Sequence, residues 1–348
     1  MPAFNPHLWC VILAGGVGSR FWPASTPSVP KQLLPLGSER PLIRDTVDRI
    51  LPLIPAERLR ILAGAHLSAP LLGELAELGP GNLLVEPRAA GTAPVLAWAA
   101  AELVRQDPDA VMISLHADHV IHPPEAFRAL LEEAASLAVR HRRLFTIGAR
   151  PTRPETGYGY IRLGEDLPGG GCEVAEFVEK PDRVTAERYL ASGNFLWNTG
   201  LFVWRAADLL EQLTRWTPEL ADALPLAQAG DTEGFFRAVP TLSIDEGLLE
   251  RSDRVGVVAA TFEWDDVGAW DAIFRTRPAD GNGNVGVGEV FPVDCKRVAL
   301  YTSDGPVVAY GVEDLVVVRT AGVTFVTSPE RAPDLKKLLA RLPEKLRG

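Results

Sequence analysis

Short apolar runs alternate with longer stretches of helical spacing through the first half of this chain, and that alternation restricts the fold more than any other feature. WCVILAG (9–15), RLRILAGA (58–65) and DAVMISLHAD (109–118) read as strands, whereas RPLIRDTVDRILPLI (40–54), APVLAWAAAELVRQ (93–106) and PPEAFRALLEEAASLAVRHR (123–142) read as helices. Strands separated by helices have room to return to the same sheet in parallel. The expected fold is therefore α/β, a Rossmann-like, mostly parallel sheet sandwiched by helices over residues 1–276. From Arg277 a cluster of Gly, Asn and Asp interrupts the pattern, and RVALYTSD, PVVAYGV and LVVVRTAGVTFVT follow as short strands. Residues 277–348 are expected to form a small β-rich domain with a closing helix in APDLKKLLARLPEKLRG.

Composition excludes several classes of function. A net charge of −10 over 348 residues opposes binding along a nucleic acid, which needs basic surface to neutralise a track of phosphates. The first apolar run, Leu8 to Ala14, is far shorter than the roughly 20 residues that cross a bilayer, and no basic segment precedes it. Cys10, Cys172 and Cys295 are odd in number and lack metal-ligand or disulfide spacing. These features point to an untargeted cytoplasmic protein with no membrane or nucleic-acid partner. Its phosphate-binding chemistry, if any, must be local.

The loop after the first strand, AGGVGSRFWPAS, is built for such chemistry. Gly15, Gly16 and Gly18 allow backbone amides to approach an anion, and Arg20 and Lys31 supply positive charge. The third glycine of the dinucleotide fingerprint is missing and no Gly-Lys-Ser/Thr follows, so neither standard nucleotide loop is present. On its own the loop is equally a plain tight turn with Arg20 in solvent.

The whole string LAGGVGSRFWPAS followed by PKQLLPL resembles the signature of the sugar-phosphate nucleotidyltransferases, and its Pro30-Lys31-Gln32 form is similar to the mannose-1-phosphate guanylyltransferase branch. The resemblance continues in TGYGYI (156–161), FVEKPD (177–182), WNTGLFVW (197–204), SIDEGLLE (243–250) and FEWDDVGAW (262–270). It implies transfer of a nucleoside monophosphate from GTP to mannose 1-phosphate, with GDP-mannose and pyrophosphate as products. It also implies a tail resembling a left-handed β-helix, which is a candidate homodimer contact.

Residue by residue, the resemblance assigns Arg20, Lys31 and Lys180 to catalysis; Gly15, Gly16, Gly18, Glu86 and Thr92 to the nucleotide; and Gly157, Glu179 and Asn198 to the sugar. Asp118 follows an apolar strand, where ligands of open α/β sheets bind, and with Asp266 it forms an oxygen pair suited to Mg2+; alone, Asp118 reads more simply as a loop carboxylate. His116 and His119 read as structural, and Asp265 should point away from Asp266. On a continuing strand Glu179 and Lys180 would face opposite sides, leaving one in solvent. The tryptophans at 197, 204, 264 and 270 read as core.

One stretch departs from the branch. Guanylyltransferases of this type carry an Arg-Asn pair before Thr-Ala-Pro, and here Ala90 and Gly91 stand there, leaving Arg88 or backbone amides to read the base. Three other readings remain open: the same chemistry on glucose 1-phosphate with dTTP or ATP, a non-catalytic nucleotide-sensing subunit, and a nicotinamide-dependent dehydrogenase. All of the charged positions are present, which counts against the second.

Overall fold

Nine strands form one sheet in the computed structural model, which describes residues 5–16, 18–26 and 28–346. In chain order they are β1 (Leu8–Leu13), β2 (Leu59–Gly64), β3 (Leu83–Glu86), β4 (Val111–His116), β5 (Leu144–Ala149), β6 (Tyr160–Asp166), β7 (Cys172–Val178), β8 (Phe195–Arg205) and β9 (Val255–Ala259). Their order in space is β3-β2-β1-β4-β8-β5-β9-β7-β6, with β6 also paired to β8. Parallel pairs join β1 to β2 and β4, β2 to β3, and β5 to β9, while only β7 and β8 run against the rest. The expected mostly parallel sheet is therefore present. The expected helices form at Leu42–Ile50, Thr92–Gln106 and Pro124–His141.

The chain packs as two compact units that a single cut does not separate: residues 1–15, 49–116 and 121–264 form one, and 16–48, 117–120 and 265–348 the other. The sheet belongs to the first unit. Its β1 and β4 are buried along most of their length, as strands covered on both faces must be, and the helix Thr92–Gln106 buries its alanine-rich face in the same core. Trp204 is fully buried and stacks on Phe202, and Trp197 is 4% exposed, so both are core residues as expected.

The second unit holds further strands: β10 (Val285–Val287), β11 (Val290–Val293), β12 (Lys296–Thr302), β13 (Val307–Tyr310), β14 (Glu313–Thr320) and β15 (Val323–Thr327). Strands 17 residues apart pair in parallel, Val290 with Val307 and Lys296 with Glu313, which is the coil-upon-coil pairing of a β-helix. The closing helix is shorter than its spacing suggested. A 3-10 stretch at Pro329–Asp334 leads into an α-helix at Leu335–Leu339, and Pro333 and Pro343 bracket it.

Residues 265–276 pack with this unit, so the boundary expected at 276 falls inside it. Trp270 is the reason. It is fully buried, lies edge-on to Phe21 and Tyr301 with ring centroids 5.1 Å from each, and donates its indole N–H to Trp22 O at 3.0 Å. The loop from the N-terminal signature is thereby seated on the β-helix core with Phe21, Leu34 and Leu36. Truncating such an aromatic removes packing and leaves a cavity, at about 3–5 kcal/mol. Trp270→Ala should therefore lower the thermal midpoint and expose residues 16–48 to limited proteolysis, whereas Trp270→Phe should do so less.

Candidate active site

Two groups of the expected residues assemble, one in each unit. In the second unit Gly18 adopts φ 66 at the entrance to the 3-10 turn Ser19–Phe21. A side-chain carbon there would lie 2.3 Å from the Cβ of Lys31, so the position excludes any other residue. Lys31 is 7% exposed and donates from Nζ to Asp118 Oδ2 at 2.8 Å and to the backbone carbonyl of Asp266 at 2.6 Å. The same ammonium lies 5.6 Å from the centre of the Phe21 ring. One buried cation thus gathers the signature loop, the turn after β4 and the FEWDDVGAW segment. Arg20 is exposed, with Nη1 3.5 Å from Gly268 O.

Around Asp266 the backbone is strained. Val267 has φ 49, a conformation costly for a β-branched residue and found mainly where function requires it. Asp265 does turn to separate partners, accepting from Val267 N at 2.8 Å and from Arg275 Nε at 2.6 Å. The Lys31 ammonium meets Asp118 through its carboxylate and Asp266 through its backbone carbonyl, and a carboxylate is the donor type a hard divalent cation prefers. His119 is buried, and its ring brings a ligand atom within 4.8 Å of one on Asp118.

In the first unit the register of three strands builds the other group. Tyr160 faces Val178 on β7 and Trp197 on β8, so Gly159, Glu179 and Asn198, the next residues along, come together. Asn198 N donates to Gly159 O at 2.8 Å, and a side chain at 159 would strike Glu179 Oε2. Gly159 is therefore the glycine these side chains require; Gly157 is exposed and bonds to Glu155.

One of the pair stays in solvent as expected, the Lys180 side chain being 63% exposed and that of Glu179 16%, yet the two side chains meet. β7 stops at Val178 and Lys180 takes φ 47, which turns the chain so that its ammonium donates to Glu179 Oε1. Burial opposes the charge of Lys180, but the Glu179 contact, with Asp245 and Glu246 nearby, holds its pKa above the ordinary lysine range.

Sequence reasoning missed two acids here. Asp245 accepts from Asn198 Nδ2 at 2.8 Å, and Glu250 Oε1 accepts from Glu179 N at 3.1 Å. Burial first, and the neighbouring Glu179 second, push the Asp245 carboxyl up to about 7. SIDEGLLE is recognisable as a motif, but spacing does not say which of its carboxylates faces inward.

The stretches expected at the nucleotide lie in the first unit, apart from Gly16 and Gly18. Glu86 ends β3 and its carboxylate lies beside Gly15, where an added side-chain carbon would be 3.9 Å from Oε1; burial raises its pKa. Gly16 has φ 92 in the loop that follows. Thr92 opens its helix and accepts at Oγ1 from Ile244 N at 2.8 Å. Gly91 has φ 81, and a Cβ there would lie 2.4 Å from Leu242 O, while Ala90 is fully buried. The Arg88 guanidinium donates to the carbonyls of Phe236, Ala89 and Val239.

Known proteins match both parts of the chain. Residues 9–282 match the nucleotidyl transferase family and 288–342 the MannoseP isomerase/GMP-like beta-helix domain. A protein described as mannose-1-phosphate guanylyltransferase from Klebsiella pneumoniae is 36% identical over 97% of this chain and 74% of its own length. The xanthan biosynthesis protein XanB of Xanthomonas campestris is 37% identical over 95% of this chain and 72% of its own. Among solved structures, that of a Thermus thermophilus protein described as a mannose-1-phosphate geranyltransferase superposes with TM-score 0.89 at 33% identity, covering 96% of this chain and 99% of that one.

The raised carboxyl of Asp245 has a consequence for stability. From about pH 4, where an unfolded Asp titrates, to about 7, the folded chain keeps a proton that the unfolded chain has released, so stability falls as pH rises through that window. Asp245→Asn removes the cost of the buried charge. It should raise the thermal midpoint at pH 8, by an amount corresponding to a few kcal/mol at about 1.4 kcal/mol per unit, and change it little near pH 4. An equal effect at both pH values would contradict this account.

Proposed function

Because the chain belongs to the nucleotidyl transferase family, we propose that it transfers GMP from GTP to mannose 1-phosphate, giving GDP-mannose and pyrophosphate. Likeness over nearly the whole chain to proteins described as mannose-1-phosphate guanylyltransferases carries the choice of substrates. The two clusters of charged and polar groups support the mechanism.

A phosphate oxygen of mannose 1-phosphate attacks the α-phosphorus of GTP in line; a new P–O bond forms, the bond to the β-phosphate oxygen breaks and pyrophosphate leaves. The attacking oxygen is already anionic, so the protein needs no covalent nucleophile. Its task is to hold two polyanions in line and neutralise the charge that develops. In this reading the amides around Gly15, Gly16 and Gly18 and the Arg20 guanidinium take the triphosphate, and Lys31 takes the α-phosphate region. Glu86 and Thr92 serve the nucleoside. Lys180 binds the attacking phosphate, and Glu179 and Asn198, beside Gly159, bind the sugar hydroxyls.

Enzymes of this class generally use a divalent metal, and Asp118 and Asp266 are the residues that would hold it, as Mg2+ in our reading. When bound, such an ion supplies positive charge to the phosphate oxygens. The Lys31 ammonium, 2.8 Å from Asp118 Oδ2, sets a positive charge beside that partly buried carboxylate. Among the described residues no helix is long and apolar enough to cross a membrane. The three free cysteines fit the reducing cytoplasm in which we place the reaction.

Pyrophosphate release, measured across GTP, ATP and dTTP with mannose 1-phosphate and glucose 1-phosphate, should be fastest for GTP with mannose 1-phosphate. A preference for dTTP with glucose 1-phosphate would overturn the assignment. Loss of a charge that acts on the reacting phosphates costs a few kcal/mol, so Lys180→Ala should lower turnover by about a hundredfold with an unchanged circular-dichroism spectrum. Asp118→Asn and Asp266→Asn should each raise the Mg2+ concentration needed for half-maximal rate.

A further inference from the structure

Asp245 opens a five-residue π-helical turn, Asp245–Leu249, closed by Glu250 N donating to Asp245 O at 3.0 Å. Such turns are rare and concentrate at functional sites. This one is anchored at one end to the stretch before the helix Thr92–Gln106. Leu242 N donates to Ala90 O at 3.0 Å, Ala93 N to Leu242 O at 3.1 Å, and Ile244 N to Thr92 Oγ1 at 2.8 Å. The first residue of the turn, Asp245, reaches Asn198, and Glu250, just past its last, reaches the backbone N–H of Glu179.

A count of donors and acceptors at Asn198 shows what this achieves. Oδ1 accepts from Thr146 Oγ1 at 3.1 Å and from Gly200 N at 3.2 Å, which occupies both of its lone pairs. Nδ2 has two hydrogens, of which Asp245 Oδ1 takes one at 2.8 Å. A backbone N–H only donates, so the Gly200 N–H fixes Oδ1 as the atom it meets and leaves Nδ2 as the end of the amide that faces Asp245. A single N–H of Asn198 is left over.

We propose that Asp245 is a positioning residue for the sugar phosphate: it pins the Asn198 amide so that the remaining Nδ2–H donates to a hydroxyl oxygen of the sugar. This rests on the assignment of Asn198 to the sugar under the proposed function. Asp245 acts through Asn198 and touches no reactant itself. The consequence falls on recognition of the sugar phosphate and spares the nucleotide.

Steady-state kinetics of the full chain test this, using whichever sugar 1-phosphate the wild type turns over, so that a wrong sugar identity changes the substrate in the cuvette and leaves the test of Asp245 intact. Asp245→Leu, similar in size but without an acceptor, should raise KM for the sugar phosphate about tenfold or more while KM for the nucleotide stays within about twofold. Asp245→Asn keeps an acceptor oxygen and should recover to within about threefold of wild type. In an Asn198→Ala background, Asp245→Leu should add less than about twofold, because its route of action is already gone. Wild-type behaviour of Asp245→Leu, equal damage from Asp245→Asn and Asp245→Leu, or fully additive effects would each overturn the proposal. If Asp245→Leu does not fold, two variants still decide: an unchanged sugar-phosphate KM in Asn198→Ala, or an Asp245→Asn enzyme as impaired as Asn198→Ala, refutes it.

Discussion

The ammonium of Lys31 holds three distant parts of the chain in one place. It meets the carboxylate of Asp118 and the backbone carbonyl of Asp266 inside a nearly closed environment, over the face of Phe21. Burying a lysine is costly unless its charge is met by an acid and its N–H groups by acceptors, and here both conditions are satisfied. Gly18 is tied to the same point, since the backbone of the signature loop passes too close to Lys31 to carry a side chain. The aromatic seam of Phe21, Trp22 and Trp270 then fixes that loop against the β-helix core, so the glycine-rich signature loop depends on strands near the other end of the chain.

Strain marks the functional places. Lys180 and Val267 both adopt positive φ, and each sits beside a carboxylate assigned to the reaction, Glu179 in one case and Asp266 in the other. The π-helical turn at Asp245 and the elevated carboxyl it carries belong to the same category. Local preferences of the sequence are overridden there, and the surrounding sheet and helices bear the cost.

The stretch before Thr92 departs from the expected pattern in a way the packing explains. Ala90 has no exposed surface, and Gly91 sits where Leu242 O leaves no room for a side chain. An Arg-Asn pair at these positions would collide with the segment that leads to Asp245. Small residues here therefore accompany the docking of residues 242–244, with Arg88 tying down the carbonyls of Phe236 and Val239 nearby.

Periodicity was enough to mark the strands at 9–15, 58–65 and 109–118, the helices between them and the change to short strands after Arg277, because alternation of apolar runs with helical spacing is local information. The motifs likewise singled out Lys31, Asp118, Lys180, Asn198 and Asp266 as candidates, since each is a chemically demanding residue in a distinctive string. What the chain could not reveal locally is pairing. That Gly159 rather than Gly157 lies against Glu179 follows from strand register, and the contact of Lys180 with Glu179 follows from a backbone conformation no propensity favours. Asp245 was one acid among three in its motif until Asn198 on another strand met it. The extent of the second unit was hidden for the same reason: Trp270 and Phe21 are far apart in sequence, and only burial against a common core makes them neighbours.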